Sequence, residues 1–251
     1  MSLNPVRDKL YRGETSVGAW LNLGSPTAAE VMAGAGYDWL AVDAEHGQWD
    51  PQTMTNAFLA IEARGAVPMA RVWSHDPTAI GRVLDAGAMG IILPHLSTPE
   101  QAAAAVAAMR YPPVGERSSG TGRAVLMDPG YKSEANDSIL VIPQIEDMEG
   151  VNNAEAIMAL DGVDVAFIGP NDLGLSMGLT SDQMWKDQGH LDAIAAILAA
   201  ARKVGKPAGV PVGSGEAARA VIAQGFQFID AGSDLRQLQL AAAERLKIAL
   251  S

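Results

Sequence analysis

The chain has 251 residues, of which 48% are hydrophobic and 19% are charged. This length and composition suit one folded domain, residues 1–251, and exclude a disordered protein. The chain carries 18 Lys and Arg against 29 Asp and Glu, and the net charge of −11 argues against nucleic-acid or anionic-membrane partners. It has no cysteine, which excludes disulfides, thiol nucleophiles and thiolate metal sites and fits a cytoplasmic location. No apolar run reaches the ~18 residues of a membrane helix, and the N-terminus has no apolar signal core.

Short apolar runs recur along the whole chain, each four or five residues long and without polar alternation. Such runs are typical of strands that are covered on both faces. The eight predicted strands are Val17–Leu21, Trp39–Val42, Pro68–Val72, Gly90–Leu93, Leu140–Gln144, Val165–Ile168, Ala208–Val212 and Phe228–Ala231.

Ala-rich stretches between these runs have the marks of helices. Four begin with a capping residue followed by proline. The capping side chain accepts a hydrogen bond from an unpaired main-chain N–H of the first turn, and proline has no N–H to leave unpaired. These starts are Ser25-Pro26, Asp50-Pro51, Asp76-Pro77 and Thr98-Pro99. A glycine follows five helical stretches, where a left-handed residue is expected: Gly36, Gly65, Gly87, Gly205 and Gly225.

Eight strand-then-helix units in this length predict a (β/α)8 barrel. A doubly wound sheet is the main alternative, but no Gly-x-Gly-x-x-Gly fingerprint follows the first strand. The one long stretch without a strand, Tyr111–Asp137, is rich in Gly, Ser and Pro, and we expect it to be a functional loop.

The active site of a barrel lies at the carboxyl ends of its strands, and the polar residues of this chain cluster there. Glu146 and Asp172 follow consecutive strands, with Gln144 on the first of them. Two carboxylates that leave room for water and substrate suit Mg²⁺ or Mn²⁺. Helix capping or a rim salt bridge is the alternative for each carboxylate.

His46 comes three residues after Asp43, just past the second strand. This spacing lets the carboxylate orient the imidazole, as a general base requires. His75 is expected in a loop and His190 in a helix, whereas His95 also occupies a rim position and its role stays open.

Arg71 ends the third strand, and an arginine in a barrel mouth must be paired or bind an anion. We favour binding of an oxyanion over a structural salt bridge to Asp43 or Asp85. No lysine follows a predicted strand, so Schiff-base catalysis is not expected. The turn Gly213-Ser214-Gly215 is a weak indication of a phosphate site at a helix start.

With these residues in place, the sequence resembles the HpcH/HpaI family of metal-dependent pyruvate aldolases from Gly18 to the last helix. The matching segments are Gly36–Leu40 and Asp43–Gly47, Arg71, Leu84–Ala88, Arg110–Pro113 with Gly115–Arg117, Gln144–Glu146, and Phe167–Leu173.

The resemblance implies a (β/α)8 barrel in a homohexamer, a trimer of dimers whose last helix is exchanged between subunits. It implies a divalent metal on Glu146 and Asp172: Mg²⁺, Mn²⁺ or Co²⁺, with Zn²⁺ possible. His46 would be the base and Arg71 would hold the keto oxygen. The other implied site residues are Asp43, which would orient His46, Asp85, at a further rim-associated position, Trp20 and Gln144, which would line the pocket, and Asn171 and Asp172, whose backbone amides would hold the substrate carboxylate.

The chain departs from the family pattern at Asn171, where Ala is frequent, and at His95, where Met or Val is common. Ser118–Asp137 is shorter than in the best-known members, where this loop shapes the aldehyde pocket. The resemblance therefore supports the enolate chemistry better than it supports the identity of the aldehyde.

The implied reaction is reversible cleavage of 4-hydroxy-2-oxo acids to pyruvate or hydroxypyruvate and an aldehyde, through an enolate that the metal stabilises. Two alternatives are a phosphosugar-handling barrel enzyme and a noncatalytic barrel that binds an organic acid.

Overall fold

Eight parallel strands close into one barrel in the computed structural model, which describes residues 3–251. Each strand pairs with the next along the chain, and the last pairs with the first. The strands are β1 (Ser16–Leu21), β2 (Trp39–Asp43), β3 (Val67–Arg71), β4 (Gly90–Leu93), β5 (Leu140–Ile145), β6 (Ala166–Ile168), β7 (Ala208–Pro211) and β8 (Phe228–Ser233). The (β/α)8 prediction is confirmed and the doubly wound alternative is wrong.

Helices surround the barrel and connect consecutive strands. They are α1 (Pro5–Tyr11), α2 (Pro26–Gly34), α3 (Pro51–Ala63), α4 (Pro77–Asp85), α5 (Pro99–Met109), α6 (Ala124–Met127), α7 (Tyr131–Ser138), α8 (Met148–Ala159), α9 (Pro170–Ser176), α10 (Gln188–Lys203), α11 (Gly215–Gln224) and α12 (Asp234–Leu250). No helix within residues 3–251 combines the length and the apolar composition that crossing a membrane requires.

The predicted strands all exist, with bounds that differ from the observed ones by at most two residues. The difference matters at Asp43, which the structure adds to β2 as its last residue and pairs across the ladder with Arg71, the last residue of β3. Both side chains therefore belong to the rigid barrel rather than to the loops beyond it.

The predicted helix starts are also correct. Ser25, Asp50, Asp76 and Thr98 each accept a hydrogen bond from a main-chain amide of the first helical turn. The five predicted helix-ending glycines all have positive φ, between 71° and 116°. Left-handed backbone is the conformation for which glycine has no steric penalty.

The stretch Tyr111–Asp137 contains no strand, as predicted, but it is not one loop. It includes α6 and most of α7, and the side chain of Tyr131 is fully buried. The Gly, Ser and Pro content hid these two short helices, which are held by packing rather than by helix propensity.

The barrel interior is filled by apolar and aromatic side chains. Trp39 and Phe228 stack with their ring centres 4.2 Å apart, and Phe167 meets Phe228 edge-on. Gly18 lies flat against Trp39, since an added Cβ would come within 2.0 Å of the indole. The interior is thus a packed core, and chemistry is expected at the carboxyl ends of the strands.

The last helix, α12, is 17 residues long, and Asp234 is its one buried residue. Large apolar side chains are exposed along the rest of the helix: Leu235, Leu238, Leu240, Leu246, Ile248 and Leu250. This apolar helix is not covered by its own barrel.

Candidate active site

A cleft of about 370 Å³ lies at the carboxyl ends of the barrel strands. Its polar lining residues come from the ends of six strands and the segments after them. They are Trp20, Asn22, Asp43, His46, Arg71, Gln144, Asn171, Asp172, Asp230, Ser233 and Arg236.

Arg71 is held rigidly at one side of the cleft. Its Nε and Nη2 donate to the two Asp43 oxygens at 2.9 and 2.7 Å. Nε also lies 3.2 Å from Glu45 Oε2, and the guanidinium carbon is 4.8 Å from the centre of the Trp20 ring. The salt bridge to Asp43 that the sequence left open is real, and Arg71 nevertheless lines the cleft, where its remaining N–H groups can meet an anion.

The Asp43 carboxylate is fully engaged by the protein. Besides Arg71, it accepts hydrogen bonds from Asn22 Nδ2 at 2.8 Å and from the main-chain N–H of His46 at 3.2 Å. We expected Asp43 to orient the His46 imidazole. In the structure Asp43 instead bonds the main chain of His46 and the guanidinium of Arg71. The His46 side chain is 65% exposed, with Nε2 3.8 Å from Glu45 Oε2.

Glu146 lies just after β5 and is 3% exposed. Its Oε2 accepts a 2.5 Å hydrogen bond from Gln144 Nε2, and its Oε1 accepts one of 2.6 Å from the main-chain N–H of His95. His95 reaches this position with a φ of 51°, which is strained for a residue with a side chain. Gly169 permits the close approach of β6, because a Cβ there would lie 2.2 Å from Glu146 Oε2.

Burial raises the pKa of Glu146 above its usual range. Hydrogen bonds from the His95 backbone and Gln144 oppose this shift, and the negative charge of Asp172 adds to it. Asp172 lies in the first turn of α9, at the end of the neighbouring strand. The two carboxylates thus repel each other, and a cation between them would relieve that repulsion.

The residues present fit a divalent cation with few protein ligands. Glu146 is buried, and its one ion pair within the described residues is with His95 Nδ1 at 3.2 Å. Gln144 Oε1 is buried without a hydrogen-bond partner. Residues 3–251 contain no group of three or more His, Cys, Asp or Glu side chains arranged around a metal position. Two carboxylates, with water and substrate completing the coordination shell, match the coordination preferences of Mg²⁺ and Mn²⁺.

Asp85 is not part of this cleft. It is the last residue of α4, a helix that runs from the carboxyl end of β3 to the opposite end of the barrel. Its Oδ1 accepts a 2.9 Å hydrogen bond from the buried Arg117. The chain therefore brings His46, Arg71, Gln144, Asn171 and Asp172 together at one mouth, lined also by Trp20, and leaves Asp85 at the other end.

The remaining histidines have structural contacts. His75 Nε2 lies 2.6 Å from the carbonyl oxygen of Pro94, and buried His190 Nε2 lies 2.8 Å from that of Pro170. His190 is in α10, and His75 lies outside the helices and strands, as predicted. His95 contacts both Glu146 and Glu45, with its Nε2 3.4 Å from Glu45 Oε1.

The Gly213–Gly215 turn has a structural use. Ser214 is the N-cap of α11, and its hydroxyl accepts from the amide of Ala217. No lysine is among the residues that line the cleft. A larger cavity of about 700 Å³ lies between α10 and α11, but its described lining residues include no titratable side chain. It shares Pro170, Asn171 and Pro211 with the cleft and has no acid or base among its described lining residues.

Two acids in this region were not predicted as site residues. Asp230 is the third residue of β8, 2% exposed, and lines the cleft. Glu45 contacts Arg71, His46 and His95. The prediction considered residues that follow the apolar runs, and Asp230 lies inside one. A carboxylate within an otherwise apolar strand was the signal, because such a group is rarely buried without a purpose.

Comparison with known proteins identifies the family. A model described as HpcH/HpaI aldolase/citrate lyase matches residues 16–241. The chain is 39% identical over 255 residues to 4-hydroxy-2-oxovalerate aldolase of Novosphingobium aromaticivorans, covering 98% of this chain and 94% of that protein. It is 37% identical over 235 residues to 5-keto-4-deoxy-D-glucarate aldolase of Klebsiella pneumoniae, covering 92% and 91%.

A solved structure agrees. The crystal structure of a HpcH/HpaI aldolase/citrate lyase family protein from Burkholderia cenocepacia J2315 superposes with a TM-score of 0.93 and 36% identity. The match covers 99% of this chain and 100% of that one. The fold, the cleft and these relatives agree, and the chain belongs to the HpcH/HpaI aldolase/citrate lyase family.

Proposed function

We propose that the protein is a divalent-metal-dependent aldolase that reversibly cleaves 4-hydroxy-2-oxo acids to pyruvate or hydroxypyruvate and an aldehyde. The family and the aldolase names of both curated relatives support the reaction class. The observation that carries the proposal is the cleft itself, which is lined by a clamped Arg71, by Asp172 and by Gln144, whose amide donates to the buried Glu146.

Glu146 and Asp172 would hold the ion: Mg²⁺, Mn²⁺ or Co²⁺, with Zn²⁺ also possible. When bound, the ion would supply Lewis acidity toward the oxygens of the 2-oxo acid. Backbone amides at Asn171 and Asp172 would receive the substrate carboxylate, while Trp20 and Gln144 line the cleft.

His46 would act as the general base. In the cleavage direction it takes the proton of the 4-hydroxyl group, the C3–C4 bond breaks, and the aldehyde leaves. The electron pair passes to C3 and the keto oxygen, and protonation at C3 then gives pyruvate. Arg71 donates hydrogen bonds to that oxygen, where negative charge develops. In the reverse direction His46 removes a proton from C3, and the enolate attacks the aldehyde.

Asp85 can serve this site only from a different subunit, because its own chain places it at the other end of the barrel. The exposed His46 ring leaves space for such an approach. We place Asp85 of one subunit beside His46 of another in a homohexamer, assembled as a trimer of dimers.

The uncovered apolar face of α12 supports an exchange of this helix between subunits. Removal of residues 235–251 should then lower the number of subunits per particle in analytical ultracentrifugation, whereas an unchanged number of subunits would exclude the exchange. The rest of the proposal, a cytoplasmic location and small-molecule partners without nucleic acid or membrane, rests on the missing cysteine and the net charge of −11.

The direct test is cleavage of a 4-hydroxy-2-oxo acid, followed through reduction of the released pyruvate by lactate dehydrogenase. We expect EDTA to abolish cleavage and Mg²⁺, Mn²⁺ or Co²⁺ to restore it. Full activity in a metal-stripped sample would overturn the metal assignment, and failure to cleave any such acid would overturn the reaction.

A further inference from the structure

Asp230 is a buried acid in the wall of the cleft that the reaction above does not use. It is 2% exposed and lies in β8, beside strand β1. Burying a carboxyl group is costly unless hydrogen bonds compensate. The contacts of Asp230 therefore indicate what the group is for.

The first contacts of Asp230 are with the main chain where two strands lose register. The β1–β8 ladder pairs Gly18 with Asp230 and then Trp20 with Ser233, so β8 has an irregularity between these pairs. Asp230 Oδ1 accepts the N–H of Gly232 at 3.1 Å, and the main-chain N–H of Trp20 lies near the carboxyl. Gly232 has a φ of 114°, which allows the chain to turn around the carboxyl.

The next contact of Asp230 is with the side chain of Trp20. The indole N–H, the only polar group of that side chain, lies near the Asp230 carboxyl and interacts favourably with its charged form. The Trp20 ring also has an apolar contact, because Phe167 meets it edge-on with the ring centres 5.9 Å apart. This polar contact at one edge and the aromatic contact at another restrict the plane of the indole.

The indole of Trp20 in turn packs against Arg71, the residue proposed to stabilise the negative charge of the enolate. The Arg71 guanidinium carbon lies 4.8 Å from the centre of the Trp20 ring, while the Arg71 fork is bonded to Asp43. Asp43 fixes the guanidinium within its own plane, and Trp20 limits its movement out of that plane. A loose indole would leave Arg71 free to tilt away from the cleft.

We propose that Asp230 is a positioning residue for Arg71, acting through the indole of Trp20. The proposal rests on the proposed function in one respect, because Arg71 is the group that stabilises the enolate. It assigns to Asp230 no contact with the reacting atoms.

The test uses the full-length protein with Mg²⁺ and four variants. Asp230→Leu removes the acceptor, and Asp230→Asn keeps a carbonyl oxygen for the indole N–H. Trp20→Phe removes the indole N–H. The double variant Trp20→Phe/Asp230→Leu completes a double-mutant cycle. The measured rates are exchange of pyruvate methyl protons in D₂O and decarboxylation of oxaloacetate, since both pass through the same enolate.

We expect Asp230→Leu to lower both rates by about 10- to 100-fold, because small displacements of a charge-stabilising group have effects of this size. The KM for pyruvate should change by less than about threefold, and Asp230→Asn should stay within about threefold of the wild-type rates. In the Trp20→Phe background, Asp230→Leu should add less than about twofold, because the path through the indole is already lost.

Wild-type rates in Asp230→Leu would overturn the inference. So would a loss that is just as large in the Trp20→Phe background, since Asp230 would then not act through Trp20. If Asp230→Leu does not fold, Asp230→Ala replaces it in the same cycle.

The failure of the proposed function is distinguishable. If the wild-type protein exchanges no methyl protons, that function fails, and the coupling between Asp230 and Arg71 is measured in unfolding instead. The variants Asp230→Leu, Arg71→Leu and their double should then be non-additive by more than about twofold in the unfolding equilibrium constant. Additive effects would overturn the positioning role.

Discussion

His46 and Arg71 have separable duties in the proposed reaction, and oxaloacetate separates them. Loss of carbon dioxide from oxaloacetate gives the pyruvate enolate without removal of a proton by a base. Both routes place negative charge on the oxygen that Arg71 faces.

We predict that His46→Ala lowers aldol cleavage by ~10²–10⁴-fold, the usual cost of losing a general base, and keeps most of the oxaloacetate decarboxylation. Arg71→Ala should lower both by ~10²–10³-fold, as loss of an oxyanion donor does. His75→Ala is the matched control, since His75 contacts Pro94 and does not line the cleft. Equal losses of both activities in His46→Ala would contradict the assignment of the base.

Asp230 also gives a prediction about pH. Burial raises the pKa of its carboxyl well above the ordinary 3.8, although hydrogen bonds from Gly232 and Trp20 and the charge of Arg71 oppose this. The folded state therefore holds the proton more tightly than the unfolded state, and stability falls as the pH rises from the unfolded pKa toward the raised one.

Asp230→Asn removes this proton and its pH dependence. We predict that the free energy of unfolding of the variant, relative to wild type, rises between pH 4 and pH 7. Urea denaturation at both pH values measures the difference. A difference that is the same at both would show that the Asp230 carboxyl does not titrate in this window.

The sequence located the site residues that end strands but did not reveal their partners. Arg71 and Glu146 were predictable because residues at strand ends must face the barrel mouth. That the Arg71 guanidinium would bond both oxygens of Asp43 was not, because it depends on how the side chains of β2 and β3 meet. Asp230 was missed because the prediction considered the residues that follow the apolar runs, and Asp230 lies inside one.

At the scale of elements, the ends of β5 and β6 bring Glu146 and Asp172 to one place. We predict that Glu146→Gln weakens Mn²⁺ binding by more than about tenfold, since loss of even an indirect partner of a metal ligand has that effect. The measurement is the electron paramagnetic resonance signal of free Mn²⁺ during titration. Glu149→Gln makes the same charge change on the exposed first turn of α8 and should bind Mn²⁺ normally. Normal binding by Glu146→Gln would remove Glu146 from the metal site.

Local sequence signals predicted all eight strands and the starts or ends of six helices, α2 to α5, α10 and α11, whereas α6 and α7 were missed. Continuous apolar runs predicted β1 to β8, and a cap before a proline predicted the starts of α2 to α5. α6 and α7 escaped prediction because Tyr131 and Ala135 are buried by tertiary packing, which no local pattern encodes.

At the scale of the whole molecule, the position of Asp85 makes the assembly testable. If each site needs His46 from one chain and Asp85 from another, the variants His46→Ala and Asp85→Asn each lack a different one of these two residues. A site formed between the two variants can therefore contain both. Co-expression of the two inactive variants should then restore up to about a quarter of the wild-type activity in random hybrids.

Each variant alone serves as the control, with sedimentation to show that it still assembles. Because Asp85→Asn also removes the ion pair with buried Arg117, its thermal unfolding must be compared with wild type. Hybrids that stay inactive while both variants assemble would show that Asp85 does not serve a neighbouring site.

The central claim is that this cleft forms the pyruvate enolate with a divalent metal, and exchange of the pyruvate methyl protons with D₂O measures that step directly. We predict that the proton NMR signal of the methyl group disappears with wild-type protein and Mg²⁺. It should persist when the protein is stripped of metal, and also in His46→Ala. Exchange that continues undiminished without metal, or no exchange with the metal present, would contradict the claim.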